Sequence, residues 1–130
     1  DLSGKRVLLC EDHPLNQEIT KTLLENKGMS VKIAGDGRQG LDAFKESKIG
    51  EFDLVLMDIR MPVMDGYEAT RQIRALPRLD ARNVPIIAIT ADAFGEDVEK
   101  CLQAGMNGHI AKPVDPKAMY EVLGSYLEKQ

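Results

Sequence analysis

Five residues in this sequence could do chemistry together: the carboxylates of Glu11, Asp12 and Asp58, the hydroxyl of Thr90 and the ammonium of Lys112. Each group follows a run of aliphatic residues: Val7-Leu8-Leu9-Cys10 before Glu11, Leu54-Val55-Leu56-Met57 before Asp58, Ile86-Ile87-Ala88-Ile89 before Thr90, and Ile110-Ala111 before Lys112. If those runs are strands of one parallel sheet, the polar residues converge at one rim. Two unit charges about 4 Å apart repel by about 4 kcal/mol at an effective dielectric near 20, so clustered carboxylates need protonation or a cation. Mg²⁺ suits an all-oxygen site, because it keeps several waters and takes one or two carboxylates together with phosphate oxygens. Beside it, Lys112 would offset the charge of a phosphoryl group, while the Thr90 hydroxyl and the Ala91 amide could donate hydrogen bonds to it. Asp58 is then the nucleophile, forming an aspartyl phosphate by in-line attack on a phosphoryl donor. Plainer roles exist for each residue alone: Asp12 capping a helix at Pro14, Glu11 solvated, Lys112 snorkelling, Thr90 capping at a strand end. None of them explains the set.

The elements that must position these residues follow from patterning. Aliphatic runs alternate with helical periods, as expected of an α/β domain with a parallel sheet. Strands one, three and four are continuously apolar and suit central places. The second alternates (Met29, Val31 and Ile33 against Ser30 and Lys32), and the short fifth carries His109, so both suit edges. With right-handed crossovers the simplest order is 2-1-3-4-5, a doubly wound, flavodoxin-like sheet whose ligand crevice lies at the carboxyl ends of strands one and three. Helices are expected over Pro14 to Lys27 with Gly28 beyond, Gly37 to Ser47, Gly66 to Arg74, and Gly95 to Ala104 stopped by Gly105. The last follows the stripe Met119, Val122, Leu123, Tyr126 and Leu127. Pro77 to Pro85 reads as a loop.

Composition removes several function classes. A chain of 130 residues holds about one domain. A formal charge of −4 argues against nucleic-acid binding and against direct contact with an anionic membrane. No apolar run approaches a membrane span, and residues 1–6 carry no secretory core, which makes the cytoplasm the default compartment. Cys10 and Cys101, in apolar surroundings without ligand spacing, read as packed thiols.

Two prolines refine the rim. Met61-Pro62 shapes the loop after Asp58, with Asp65-Gly66 turning into the next helix, and Lys112-Pro113 is expected to be cis and to hold Lys112 inward.

Taken together, Glu11-Asp12, Asp58 in "LVLMDIRMPVMDGYEATRQIR", Thr90 in "PIIAITADAF" and Lys112-Pro113 in "GMNGHIAKPVD" resemble the receiver domain of two-component response regulators over essentially the whole chain. The resemblance implies that Asp58 is the phosphoacceptor. It implies Asp12 and Asp58 as direct Mg²⁺ ligands, Glu11 acting largely through water, and the Arg60 carbonyl as another ligand. Thr90 and Lys112 would contact the phosphoryl group and couple it to a switch. His109 stands where many members carry a Tyr or Phe that moves inward with the Thr, so a switch role and a plain edge position both stay open. The resemblance also implies that Arg60 and Asp92 flank the route of the hydrolytic water, so an ion pair between them would bear on how slowly the phosphoryl group is lost.

The implied partners are the phosphohistidine domain of a histidine kinase or a histidine phosphotransfer protein, with a weak dimer as a further option. "LSGKRVLLCEDHPLNQEITKTLLE" and "MNGHIAKPVD" are most similar to receivers appended to hybrid sensor histidine kinases, whose parent chain can be membrane-anchored. The expected layout is one receiver domain over residues 1–130, with residues 1–4 a linker remnant of a longer chain. A stand-alone regulator is the alternative within signalling. A Mg²⁺-dependent phosphohydrolase with an aspartate nucleophile is the alternative outside it, but its general acid would stand where this chain has Arg60. A nucleotide site is disfavoured because Glu11-Asp12-His13-Pro14 has no glycine-rich loop and carries negative charge.

Overall fold

A computed structural model describes residues 2–91 and 95–128. The aliphatic runs form strands β1 (Arg6–Cys10), β2 (Ser30–Ala34), β3 (Leu54–Asp58), β4 (Ile86–Thr90) and β5 (Gly108–Ala111). Helices α1 (Pro14–Glu25), α2 (Gly37–Glu46), α3 (Gly66–Arg74), α4 (Glu96–Ala104) and α5 (Pro116–Leu127) alternate with them. All pairings are parallel and the order is β2-β1-β3-β4-β5, as the strand chemistry requires. β3 and β4 are buried at every position, whereas β2 at the edge alternates between exposed and half-buried over its first four residues.

Strand alternation sorts the core into two layers. Leu8, Cys10, Val55, Met57, Ile86 and Ala88 point to the face covered by α2, α3 and α4, where they meet Leu41, Phe44, Ala69, Ile73 and Cys101. Val7, Leu9, Leu54, Leu56, Ile87 and Ile89 point to the other face and meet Leu24 of α1 and Met119, Leu123 and Leu127 of α5. Cys10 and Cys101 are buried free thiols, as expected, and burial pushes the Cys10 thiol up to about 12.

Several boundaries differ from expectation. α1 ends at Glu25 rather than Lys27; the chain turns through Asn26 and Lys27, and Gly28, at φ 82°, donates its amide to the Glu25 carbonyl at 2.9 Å. α2 stops at Glu46, one residue early, and α4 begins at Glu96, one late, while Gly105 at φ 106° does terminate α4. The Pro77 to Pro85 loop contains a 3₁₀ turn, Leu79–Ala81. Arg78 organises it, reaching the Phe44 and Ser47 carbonyls at 2.7 and 3.0 Å and pairing with Asp80 at 2.7 Å. No described helix is long and apolar enough to cross a membrane.

Candidate functional site

The carboxyl ends of β1, β3, β4 and β5 share one rim, so the polar residues that follow each aliphatic run are brought together there. Asp58 is the last residue of β3 and is 2% exposed. The chain leaves it through a tight loop whose return depends on Gly66: a β-carbon there would overlap the Asp58 carbonyl, and the Gly66 amide donates to the Ile59 carbonyl at 2.8 Å. Within the loop Val63 adopts φ 69°, closed by a 2.7 Å bond from the Met64 amide to the Pro62 carbonyl. This is a γ-turn that a β-branched residue adopts only under constraint from its surroundings.

Both oxygens of Asp58 are held. Oδ2 lies 3.0 Å from Lys112 Nζ, and Oδ1 accepts the Arg60 amide at 3.3 Å. Lys112 follows β5 and precedes a cis Lys112–Pro113 bond, the isomer anticipated from the sequence. Its ammonium also stands 4.0 Å from Glu11 Oε1. Glu11 is buried, accepts the His13 amide on Oε2 at 3.0 Å, and offers its carbonyl to Gln17 Nε2 at 2.6 Å. Asp12 beside it is exposed. Glu11, Asp12 and Asp58 each place a carboxylate oxygen within 4.8 Å of the others.

The plainer readings of these residues fail. The N-cap of α1 is His13, without a side-chain capping bond, so Asp12 does not cap the helix. Glu11 is not solvated, and Lys112 turns its ammonium to Asp58 rather than to water. Thr90 closes β4, and the N-cap of α4 is Gly95.

Electrostatics test whether a cation fits. Three carboxylates face one ammonium, and burial pushes the Glu11 carboxyl up to about 7. The charge of Asp58 adds to that rise, while the His13 amide and Lys112 act against it. Burial and the neighbouring Asp58 charge both disfavour the ionised form of Glu11, and a hard cation beside it would offset both. The donors are all oxygen, two buried and one open to solvent, which suits an ion that keeps part of its water shell.

Not every expected residue joins this cluster. Ala91 is exposed just beyond β4. His109 is half-buried and lines a groove of about 380 Å³ between α4 and α5, with Cys101, Leu102, Val122 and Tyr126, away from the carboxylates. The Arg60–Asp92 pair lies outside the described residues. Arg60, 79% exposed at its side chain, reaches Asp97 Oδ2 at 3.7 Å, a contact worth about 0–1 kcal/mol.

Asp97 and Tyr67 are the residues that sequence reasoning missed. Asp97 is buried in the first turn of α4, accepting the Tyr67 hydroxyl at 3.1 Å and the Thr90 hydroxyl at 3.4 Å. A signal was present: Asp97, Cys101 and Ala104 stand at i, i+4 and i+7 and are all buried, so a carboxylate occupies the apolar stripe of its helix.

Comparisons with known proteins agree with this geometry. Residues 7–124 match the family described as response regulator receiver domain. The chain is 42% identical over 127 residues to hybrid signal transduction histidine kinase I of Dictyostelium discoideum, covering 96% of this chain and 7% of that protein. It is 35% identical over 129 residues to the sensor histidine kinase RcsC of Escherichia coli, covering 99% of this chain and 13% of RcsC. The chain therefore spans a small fraction of these relatives. Among solved structures, the receiver domain of the Pseudomonas aeruginosa sensor histidine kinase PA1611, with magnesium coordinated in its active-site cleft, is 41% identical at a TM-score of 0.86, covering 97% of this chain and 99% of that one. The Saccharomyces cerevisiae Ssk1 receiver, solved with the phosphotransfer protein Ypd1, is 31% identical at a TM-score of 0.87, covering 97% and 90%.

Proposed function

This chain belongs to the response regulator receiver family, and from that premise we propose that Asp58 accepts a phosphoryl group from a phosphohistidine and that the modified domain then changes its binding partners. The observation that carries the reading is the buried Asp58 carboxylate held 3.0 Å from Lys112 within the three-carboxylate cluster. An ionised carboxylate fixed on both oxygens is a nucleophile that needs no base. Attack by an Asp58 oxygen forms an O–P bond as the N–P bond of the donor breaks; the electron pair returns to the imidazole, which takes up a proton.

Glu11, Asp12 and Asp58, with the Arg60 carbonyl, are the groups assigned to Mg²⁺, which when bound would neutralise charge on the transferring phosphoryl group and orient it. The magnesium in the cleft of the PA1611 receiver supports that assignment. Lys112, already beside Asp58, shifts to the new anionic oxygens; Thr90 and the Ala91 amide complete their hydrogen bonding. His109, in the groove between α4 and α5, is assigned to the surface that responds.

A groove of about 420 Å³ opens beside Glu11 and Lys112, lined by Asn16, Ile19, Thr20, Pro113 and Val114. Leu15 and Ile19 of α1 are exposed at 62% and 47%. We assign this surface to the donor, a histidine kinase or a histidine phosphotransfer protein, as the Ypd1–Ssk1 complex supports. Its similarity to hybrid kinases favours a receiver within such a kinase, working in the cytoplasm, where buried free thiols stay reduced.

Intact mass after incubation with acetyl phosphate tests the assignment. One added phosphoryl group that requires both Mg²⁺ and Asp58 is expected; equal labelling of Asp58→Asn would refute it.

A further inference from the structure

Asp97 belongs to no part of the phosphoacceptor chemistry, yet its carboxylate joins four segments around the rim. It sits in the first turn of α4 and is 7% exposed. Oδ1 accepts the Tyr67 hydroxyl from α3 at 3.1 Å. Oδ2 accepts the Thr90 hydroxyl from the end of β4 at 3.4 Å and lies 3.7 Å from the Arg60 guanidinium in the loop after β3. Strand alternation explains the meeting: Thr90 has the parity of Ile86 and Ala88, which point toward α3 and α4, whereas Leu54 and Leu56, of the same parity as Asp58, point toward α1 and α5.

From this geometry we infer that Asp97 is a resting-state latch, a positioning residue that holds the Thr90 hydroxyl toward α4 and so competes with a phosphoryl group on Asp58 for it. The inference rests on the phosphoacceptor reading of Asp58. A hydroxyl proton can serve one acceptor at a time, so contact between Thr90 and the phosphoryl group breaks the 3.4 Å bond to Asp97. The arrangement makes that exchange reversible. Tyr67 and Arg60 stay on Asp97 after Thr90 leaves, so no buried carboxylate is orphaned, and the bond that breaks is the longer of its two hydrogen bonds. Because Asp97 is part of α4, losing Thr90 removes this tie between the first turn of that helix and β4. The charge change at Asp58 is thereby transmitted to the groove between α4 and α5.

The test is the affinity for beryllofluoride, a phosphoryl mimic, with Mg²⁺, read by ¹⁹F NMR on wild type, Asp97→Ala, Asp97→Asn, Thr90→Ala and the Thr90→Ala/Asp97→Ala double variant. Removing the competing acceptor in Asp97→Ala should tighten binding about fivefold, the net worth of one ordinary hydrogen bond, as suits a contact at the long 3.4 Å. Asp97→Asn, which keeps the side-chain volume and a neutral acceptor, should show a smaller gain of the same sign, and it decides the matter if the alanine variant does not fold. In the Thr90→Ala background the gain should vanish, which a general loosening of α4 would not produce. Unchanged or weaker binding in folded Asp97 variants, or an equal gain without Thr90, overturns the latch and leaves the phosphoacceptor reading intact. Failure of the wild type to bind beryllofluoride would overturn that reading and the latch with it.

Discussion

Burial without a cation keeps a proton on Glu11 near neutral pH, and that single group gives the site a pH response whose sign can be worked out. Its carboxyl is raised from 4.5 to about 7, so between those values the folded metal-free protein holds a proton that the unfolded chain has released. The contribution of Glu11 to stability is therefore complete below pH 4.5 and is lost as pH rises through about 7. A divalent ion requires the ionised form, so Mg²⁺ binding releases a proton and its apparent affinity climbs with pH up to about 7, then levels. Calorimetric titrations across pH 5.5–8 in buffers of differing ionisation enthalpy measure this; proton release that persists unchanged in Glu11→Gln would contradict it. The same substitution should raise the melting temperature of the metal-free protein at pH 7.5, because it removes a buried charge that Lys112, 4.0 Å away, only partly offsets.

At the scale of elements, the amino ends of the strands carry the stability and the carboxyl ends carry the chemistry. Arg78 illustrates the first. Its guanidinium satisfies the Phe44 and Ser47 carbonyls at the end of α2, lies 4.6 Å from the centre of the Phe44 ring, and is bonded twice to Asp80, at 2.7 and 2.9 Å. Arg78→Ala strips a half-hidden carboxylate of its partner, and should cost about 3 kcal/mol, or roughly 10 °C in melting temperature. Labelling by acetyl phosphate should persist, since the rim is at the opposite end of the sheet. Paired thermal melts and labelling rates check this, and a variant that melts like wild type would contradict it. The central strands and their polar ends were legible in the sequence because parallel strands buried on both faces read as unbroken aliphatic runs, so Asp58 and Thr90 announce themselves by where those runs stop, while Lys112 follows the short edge strand β5. What was not legible depends on contacts between segments distant in sequence. The 3₁₀ turn after Arg78 forms around bonds to α2, and α1 ends early because Gly28 turns back onto Glu25. Asp97 showed only as a polar residue in an apolar stripe, since its partners Tyr67 and Thr90 come from another helix and a strand.

Over the whole molecule, the separation of the rim from the surfaces beside it means that chemistry and recognition can be tested apart. On the proposed assignment a small phosphodonor needs only Asp58, Lys112 and the metal ligands, whereas a protein donor must also dock. Ile19, 47% exposed in the groove beside Glu11 and Lys112, is assigned to docking alone. Ile19→Asp should slow transfer from a phosphorylated histidine phosphotransfer protein about tenfold or more, the loss of one apolar anchor, while leaving acetyl phosphate labelling unchanged. Parallel time courses with the two donors measure the split, and equal rates for variant and wild type with the protein donor would remove α1 from the docking surface. The central claim is that the phosphoryl group resides on Asp58 and nowhere else, although His13 is also exposed nearby. Borohydride reduction after transfer from a phosphorylated histidine phosphotransfer protein, followed by peptide mass spectrometry, tests it most directly, because reduction converts an aspartyl phosphate to homoserine. Homoserine at position 58 alone is the predicted result; phosphohistidine at position 13, or homoserine at any other aspartate or 5-hydroxynorvaline at a glutamate with Asp58 intact, would contradict the account.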